Sequence, residues 1–155
     1  MFRKMRRFKQ QLPEEECIEI LTKAPRGVLA VLGDEGYPYT IPLDFVYENG
    51  KIYFHSALEG HKVDAIRNYD KASFCVLNEG YQNPGEWWYY FRSVIAFGKI
   101  RVLEDRDEIN EKLRLLARKY MPAAEIEPDM ARNAHRSAMI ELTIEHMTGK
   151  RVEEK

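Results

Sequence analysis

Cysteine is scarce in this 155-residue chain, with Cys17 and Cys75 the only two. They form no CxxC pair and no dense framework, which excludes a disulfide scaffold and leaves both as reduced, packed thiols. An excess of charge of one sign is missing too. Lys and Arg number 24 against 25 Asp and Glu, a formal net charge of -1, so no global field draws the chain to nucleic acid or an anionic membrane. No apolar run approaches the roughly 20 residues needed to cross a bilayer, and the first residues lack the apolar core and cleavage site of a signal peptide. The expectation is a soluble, cytoplasmic protein with no nucleic-acid or membrane partner. GxGxxG, GxxxxGK[ST] and HExxH are absent, which removes the commonest nucleotide and metalloprotease readings. No GxSxG surrounds Ser56, Ser73, Ser93 or Ser137, and neither cysteine lies in a setting that would activate a thiol.

What is present fits one domain over residues 1–155, long enough to bury a core without staples. Residues 1–12 form a basic arm with aromatics at Phe2 and Phe8, solvated or touching a partner because nothing downstream continues a basic face. Pro13 followed by Glu14, Glu15 and Glu16 predicts a helix start, and Cys17, Ile20, Leu21 and Ala24 carry it at helical spacing over 13–23. Residues 28–32 read as a buried strand. Tyr39, Ile41, Leu43, Phe45 and Tyr47 alternate with Thr40, Pro42, Asp44 and Val46, which predicts one strand, and Asn49-Gly50 supplies a hairpin turn into a return strand over 51–56. A short helix to Asn68, a strand over 72–77 and a loop over 78–86 follow.

Residues 87–103 read as one long strand, or two with a kink near Gly98. Tyr90, Arg92, Val94 and Ala96 fall on one face and Phe91, Ser93, Ile95 and Phe97 on the other. A helix over 105–120 carries Ile109, Leu113, Leu116 and Tyr120 on one face, a further short helix covers 128–136, a last strand spans 137–145, and residues 151–155 are expected to fray. Six or so strands joined mostly as hairpins predict a mainly β fold, an antiparallel β-barrel with α-helices inserted.

After the return strand, His55, Ser56, Gly60, His61 and Lys62 fall within eight residues. Ser56 brings a hydroxyl, Gly60 lets the backbone approach closely, and Lys62 sits at a helix start, where free N–H groups and the helix dipole favour a phosphate. An ordinary strand-to-helix turn with a solvated lysine is the other reading, and the residues alone leave both open. His55, His61, His135 and His146 form no recognised ligand pair, so no metal site is expected. Trp87, Trp88, Tyr89, Tyr90 and Phe91 suit a core or a subunit contact, and equally the cover of a flat ring system.

In order along the chain, GYPYTIPLDF, IYFHSALEGHK, RSVIAFGKI and EHMTGK resemble the flavin-binding split barrels related to pyridoxamine 5′-phosphate oxidase, and within them the 5-nitroimidazole resistance (Nim) type. The resemblance spans about residues 29–150. It implies a homodimer of six-stranded antiparallel split barrels with FMN at the subunit interface. It further implies that Pro42, Leu43, Asp44 and Phe45 lie along the isoalloxazine ring, that His55, Ser56 and Ala57 run beside the ribityl chain, and that His61 and Lys62 reach the phosphate. The oxidase branch has Arg-Lys where this chain has His61-Lys62, a change that weakens the fixed charge. Ser93 falls where the oxidase branch has a flavin-contacting glutamine. His146 to Lys150 matches the terminal segment of the Nim type, which implies that Lys150 lies near the cofactor or the other subunit. The oxidase's substrate-phosphate motifs are not evident, which disfavours pyridoxamine phosphate as substrate.

The function so implied is an FMN-dependent oxidoreductase that reduces a small flat acceptor such as a nitro-aromatic with electrons from a reduced nicotinamide or another donor. No side chain is assigned as catalytic acid or base, because the cofactor carries the redox chemistry. The competing readings are a flavin- or haem-binding module without turnover and a deazaflavin-dependent reductase.

Overall fold

Helix starts and strand alternation organise the chain, which the computed structural model describes over residues 1–153. In order, the elements are α1 (Glu14–Lys23), β1 (Gly27–Leu32), β2 (Pro38–Leu43), β3 (Val46–Glu48), β4 (Lys51–Ala57), α2 (His61–Asn68), β5 (Lys71–Leu77), β6 (Tyr90–Val102), α3 (Arg106–Tyr120), α4 (Ala123–Asn133) and β7 (Ser137–Glu153). Pro13 is the N-cap of α1, and the three glutamates fill its first turn, where the helix dipole favours them. Asp105 caps α3, its side chain accepting the Glu108 N–H at 3.0 Å. Among the described residues no helix is long and apolar enough to cross a membrane.

The seven strands make one sheet in the order β2-β1-β5-β6-β7-β4-β3, with every neighbouring pair antiparallel. The expected count of six is corrected to seven, because the alternating stretch over 39–47 is two strands on opposite edges of the sheet. Its break is at Asp44-Phe45. Phe45 turns fully into the core, and its backbone leaves the ladder to bond with the end of α3. The Tyr120 hydroxyl accepts the Phe45 N–H at 3.0 Å, and Lys119 Nζ donates to the Phe45 carbonyl at 2.9 Å. Two residues join the two edges, so Leu43 and Val46 lie within three Cα steps, at most about 11 Å. The sheet is therefore strongly rolled, and no ladder closes β2 onto β3.

Inside the roll, Phe74 packs edge-on against Phe45 and Phe54, with ring centroids 4.8 and 5.0 Å apart. Leu29, Ile52, Val76, Val94, Ile140 and Leu142 complete this core from five strands. A second, smaller core lies outside β4 and β7, where Ile109 and Leu116 of α3 cover Tyr53, Met139 and Val46. Two covered faces explain why Ile52, Tyr53 and Phe54 are buried in succession. Asn49 and Gly50 turn the β3–β4 hairpin with φ of 47° and 79°, as the sequence predicts.

β7 runs further than expected. Its register against β6 shifts between Phe97 and Gly98, so that Glu145 is an extra residue and the inward positions pass from Ile140, Leu142 and Ile144 to Met147 and Gly149. A side chain at Gly149 would collide with Cys17 Sγ and crowd Leu12 at 3.1 Å, so glycine here lets α1 and the arm pack on the sheet. Residues 151–153, expected to fray, pair with Arg92, Phe91 and Tyr90, and Val152 is buried. The last two residues of that expected tail lie outside the described residues. α4 begins five residues before the predicted short helix, and Pro128 is accommodated at an exposed position inside it.

Candidate functional site

The rolled sheet leaves a gap on one side. β2 pairs only with β1, and β3 covers β4 only as far as Tyr53, so the backbones of Pro38–Leu43 and of residues 54–57 each have one edge without a ladder partner among the described residues. The Asp44-Phe45 break lies between these edges in sequence. Phe45 beneath it is held by Lys119, whose Nζ sits 3.9 Å from the centre of the ring and also donates to the Ala24 carbonyl at 2.6 Å. Burial pulls the Lys119 amine down to about 8, with the Asp44 carboxylate acting against that shift. The Tyr120 hydroxyl donates to the Pro25 carbonyl at 2.6 Å, and Arg26 Nε lies 2.9 Å from Asp44 Oδ1.

Asp44, His55, Ser56 and Ala57 line one wall of a cavity of about 550 Å³, whose opposite wall is made by α3 and α4. Ser56 is nearly buried, whereas His55 and Ala57 point outward from β4. Pro42 is exposed, Leu43 half-buried, and Phe45 wholly interior.

Gly60 is the N-cap of α2, its φ of 140° open to glycine, and no side chain caps the helix. The first intrahelical bond is from Asp64 N to Gly60 O at 3.0 Å, so the N–H groups of His61, Lys62 and Val63 have no helical acceptor. Lys62 is half-buried, and burial lowers the pKa of its amine. It pairs with no carboxylate among the described residues. His61 turns to the β1–β2 connection instead. Its ring stacks on Tyr39 with centroids 4.3 Å apart, and its Nε2 accepts the Asp34 N–H at 3.3 Å.

Ser93 and Lys150 are direct partners across β6 and β7 on the outer face of the sheet. The structure thus gathers eight of the eleven predicted residues into three groups, 44 and 55–57 around the cavity, 61–62 at the start of α2, and 93 with 150 on the outer face, and leaves Pro42 and Leu43 on β2 and Phe45 in the core. Sequence reasoning missed Arg26, Lys119 and Tyr120 around the break, and Met130 and Arg136 in the cavity. Lys119 at a helix end and Arg26 after a proline carry no local signal of a site, and only the fold brings them to Asp44-Phe45.

A second cavity of about 610 Å³ lies between α1 and the ends of β1 and β5, lined by Lys23, Arg26 and Arg92. Each of these cations already faces a carboxylate, at Glu19, Asp44 and Glu16 respectively, which leaves no free charge for an anion. No group of three or more His, Cys, Asp or Glu side chains converges among the described residues.

A rolled antiparallel sheet with one unpaired edge, and an uncapped helix start whose first residue stacks on that edge, define the class of fold. The chain belongs to the pyridoxamine 5′-phosphate oxidase family, whose model matches residues 13–151. Its fold is shared with a candidate 5-nitroimidazole antibiotic resistance protein of Bacteroides thetaiotaomicron VPI-5482, at 22% identity and a TM-score of 0.75 over 93% of this chain and 90% of that one. A conserved hypothetical protein of Mycobacterium tuberculosis superposes with a TM-score of 0.81 at 15% identity, over 95% of this chain and 90% of that one. A flavocytochrome of Azotobacter vinelandii gives 0.79 at 20% identity, over 98% of this chain and 76% of that one. No curated protein matches the chain.

Proposed function

We propose that this chain is an FMN-dependent oxidoreductase of the Nim-like type, a split barrel that works as a homodimer in the cytoplasm. Its substrate is a small flat acceptor such as a nitro-aromatic, and reduced nicotinamide is its electron donor. The observation that carries the reading is Lys62: a half-buried amine without a carboxylate partner, at a helix start whose N–H groups are free. A flavin phosphate satisfies both needs at once. When bound, flavin supplies the two-electron chemistry. The chain's part is to hold and shield it. The unpaired edges at 38–43 and 54–57 offer backbone donors and acceptors to the rim of the ring, and Asp44, His55, Ser56 and Ala57 line the space beside it.

The second subunit is argued from the outer face of the sheet. Val28, Cys75, Ile95 and Thr148 lie in one row across four strands, and Ala30, Ser73, Phe97 and His146 in the next. Val28, Leu77, Ile95 and Phe97 remain 39%, 57%, 39% and 37% exposed. An apolar face that wide fits a second copy of the chain. In that assembly Ser93 and Lys150, which stand on this face, serve the flavin of the other subunit.

The experiment is a titration of purified protein with FMN, followed by flavin absorbance and thermal stability. Lys62→Ala is expected to weaken FMN by about tenfold or more, the worth of one hydrogen bond to a charged group, and Lys150→Ala by less. Equal retention in both variants overturns the phosphate assignment. A colourless protein whose melting temperature does not respond to FMN overturns the flavin reading. One relative is a flavocytochrome by name, so a Soret band in the purified protein would move the reading to haem.

A further inference from the structure

We infer that the cavity between β4, α3 and α4 is a subsite for a planar aromatic anion, with its ring among Leu113, Leu116, Met121 and Met130 and its carboxylate at Arg136. The inference rests on the proposed flavin site for its role, as the acceptor's place beside the ring, but not for the binding itself.

The cavity's 550 Å³ suits a small ligand. Its helical wall carries an apolar strip, Leu113, Leu116 and Ala117 from α3 and Met130 from α4, flanked by Tyr120, Asp129 and Asn133. Unbranched methionines at positions 121 and 130 adapt to flat guests of different outline.

The free donors around it choose the sign of the ligand. Asp44 is paired with Arg26 at 2.9 Å; Asp129 keeps its charge but accepts from Asn133 Nδ2 at 2.6 Å, and that amide stands between it and Arg136. Arg136 faces no carboxylate among the described residues. Its guanidinium donates to the Asn133 side-chain oxygen, which leaves further donors for a ligand. The turn that carries it is pinned. Arg106 Nη1 donates to the carbonyls of Ala134 and Ser137 at 3.0 and 3.1 Å, and Ser137 Oγ donates to Asn133 O at 2.9 Å. A planar guanidinium fixed beside an apolar slot matches a carboxylate in plane with an aromatic ring.

Calorimetric titration with 4-nitrobenzoate and with nitrobenzene tests this, on both the FMN-free and the FMN-loaded protein. The wild type is expected to bind the carboxylate about tenfold tighter than the neutral ring. Arg136→Gln should erase that preference while leaving nitrobenzene and FMN affinity unchanged. Met130→Trp, which fills the slot, should abolish binding of both. If that variant melts early, Ala117→Phe fills the slot from α3 instead. No preference for the carboxylate in the wild type, a preference that survives Arg136→Gln, or binding untouched by filling the slot overturns the subsite. A protein that binds no FMN defeats the flavin reading instead, and the titration of the flavin-free protein still decides the subsite.

Discussion

The Asp44-Phe45 break and the outer face of β1, β5, β6 and β7 are both places where the sheet departs from a simple closed barrel, and the chain treats them in opposite ways. At the break, the Phe45 N–H and carbonyl, which have left the ladder, are met by Tyr120 and Lys119, while Phe45 itself is fully buried against Phe74. The outer face keeps Ile95 and Phe97 more than a third exposed, with the ring of Phe2 lying near Phe97 and stacked on His146 at 4.7 Å. Unpaired backbone cannot be left buried, so the chain must finish the break with its own helix. Apolar side chains on a paired sheet carry no such obligation and can wait for a partner. The break is thus a structural requirement, and the outer face is a surface open to assembly.

The largest effect should come from the break. Phe45→Ala empties the centre of the aromatic cluster and removes the ring beneath Lys119, and a loss of about 3–5 kcal/mol is expected in urea unfolding. A loss below about 1 kcal/mol would mean that α3 alone holds the two edges together. Ile95→Asp on the outer face should instead leave the melting of the protomer almost unchanged while shifting its elution to half the apparent mass. An unchanged mass would remove the outer face from the assembly.

Glu141 gives a smaller effect on the same outer side, where α3 covers the sheet. Burial alone would raise its carboxyl, yet hydrogen bonds from Arg101 Nε at 2.9 Å and Lys51 Nζ at 3.2 Å together hold it below the usual carboxylate value. A carboxyl depressed in the folded state lends stability above its unfolded pKa, about 4.3, and that stability is lost as pH falls through the folded value. Glu141→Gln should therefore cost about 1.5 kcal/mol at pH 7, at the low end for bonds to a charged group because Arg101 and Lys51 reach water. The cost should shrink toward zero in acid, and a cost independent of pH would assign Glu141 a packing role only.

How much of this was legible in the sequence follows from which signals are local. Asn49-Gly50, Pro13 with its glutamates, and the alternation of Val94 and Ala96 against Ile95 and Phe97 act within a few residues, and the structure agrees at each. The 39–47 alternation has the right period but hides a change of partner, because a strand's period says which side chains share a face and not which neighbour pairs with it. The end of β7 was hidden for the opposite reason. Its bulge at Glu145 breaks the alternation, so Glu145-His146 reads as a strand end although pairing runs on to Glu153. Of the site, the 55–62 turn was visible because its residues are consecutive. Lys119, Tyr120 and Arg136 were not, since they reach the site only when α3 and α4 fold back over β4.

Lys119→Met is the smallest perturbation and the sharpest test of how the break is finished. Methionine keeps the stem over Phe45 and drops the amine, so the Ala24 carbonyl loses its donor, and the Phe45 carbonyl is left to compete with Pro25, at 3.0 against 2.6 Å, for the single Tyr120 proton. About 1 kcal/mol is at stake at neutral pH, partly offset by relief of a desolvated charge. The pH dependence separates the two contributions. Burial lowers the amine to about 8 in the folded state, against an unfolded value near 10.4. Between these values the unfolded chain holds the proton that the folded one has released, so stability from this group rises with pH across that window. Urea midpoints measured from pH 7 to 10.5 should climb more steeply above pH 8 in the wild type than in Lys119→Met. Parallel profiles would show that the amine is charged throughout, and that the break is held by an ion over the Phe45 ring rather than by hydrogen bonds that either protonation state can make.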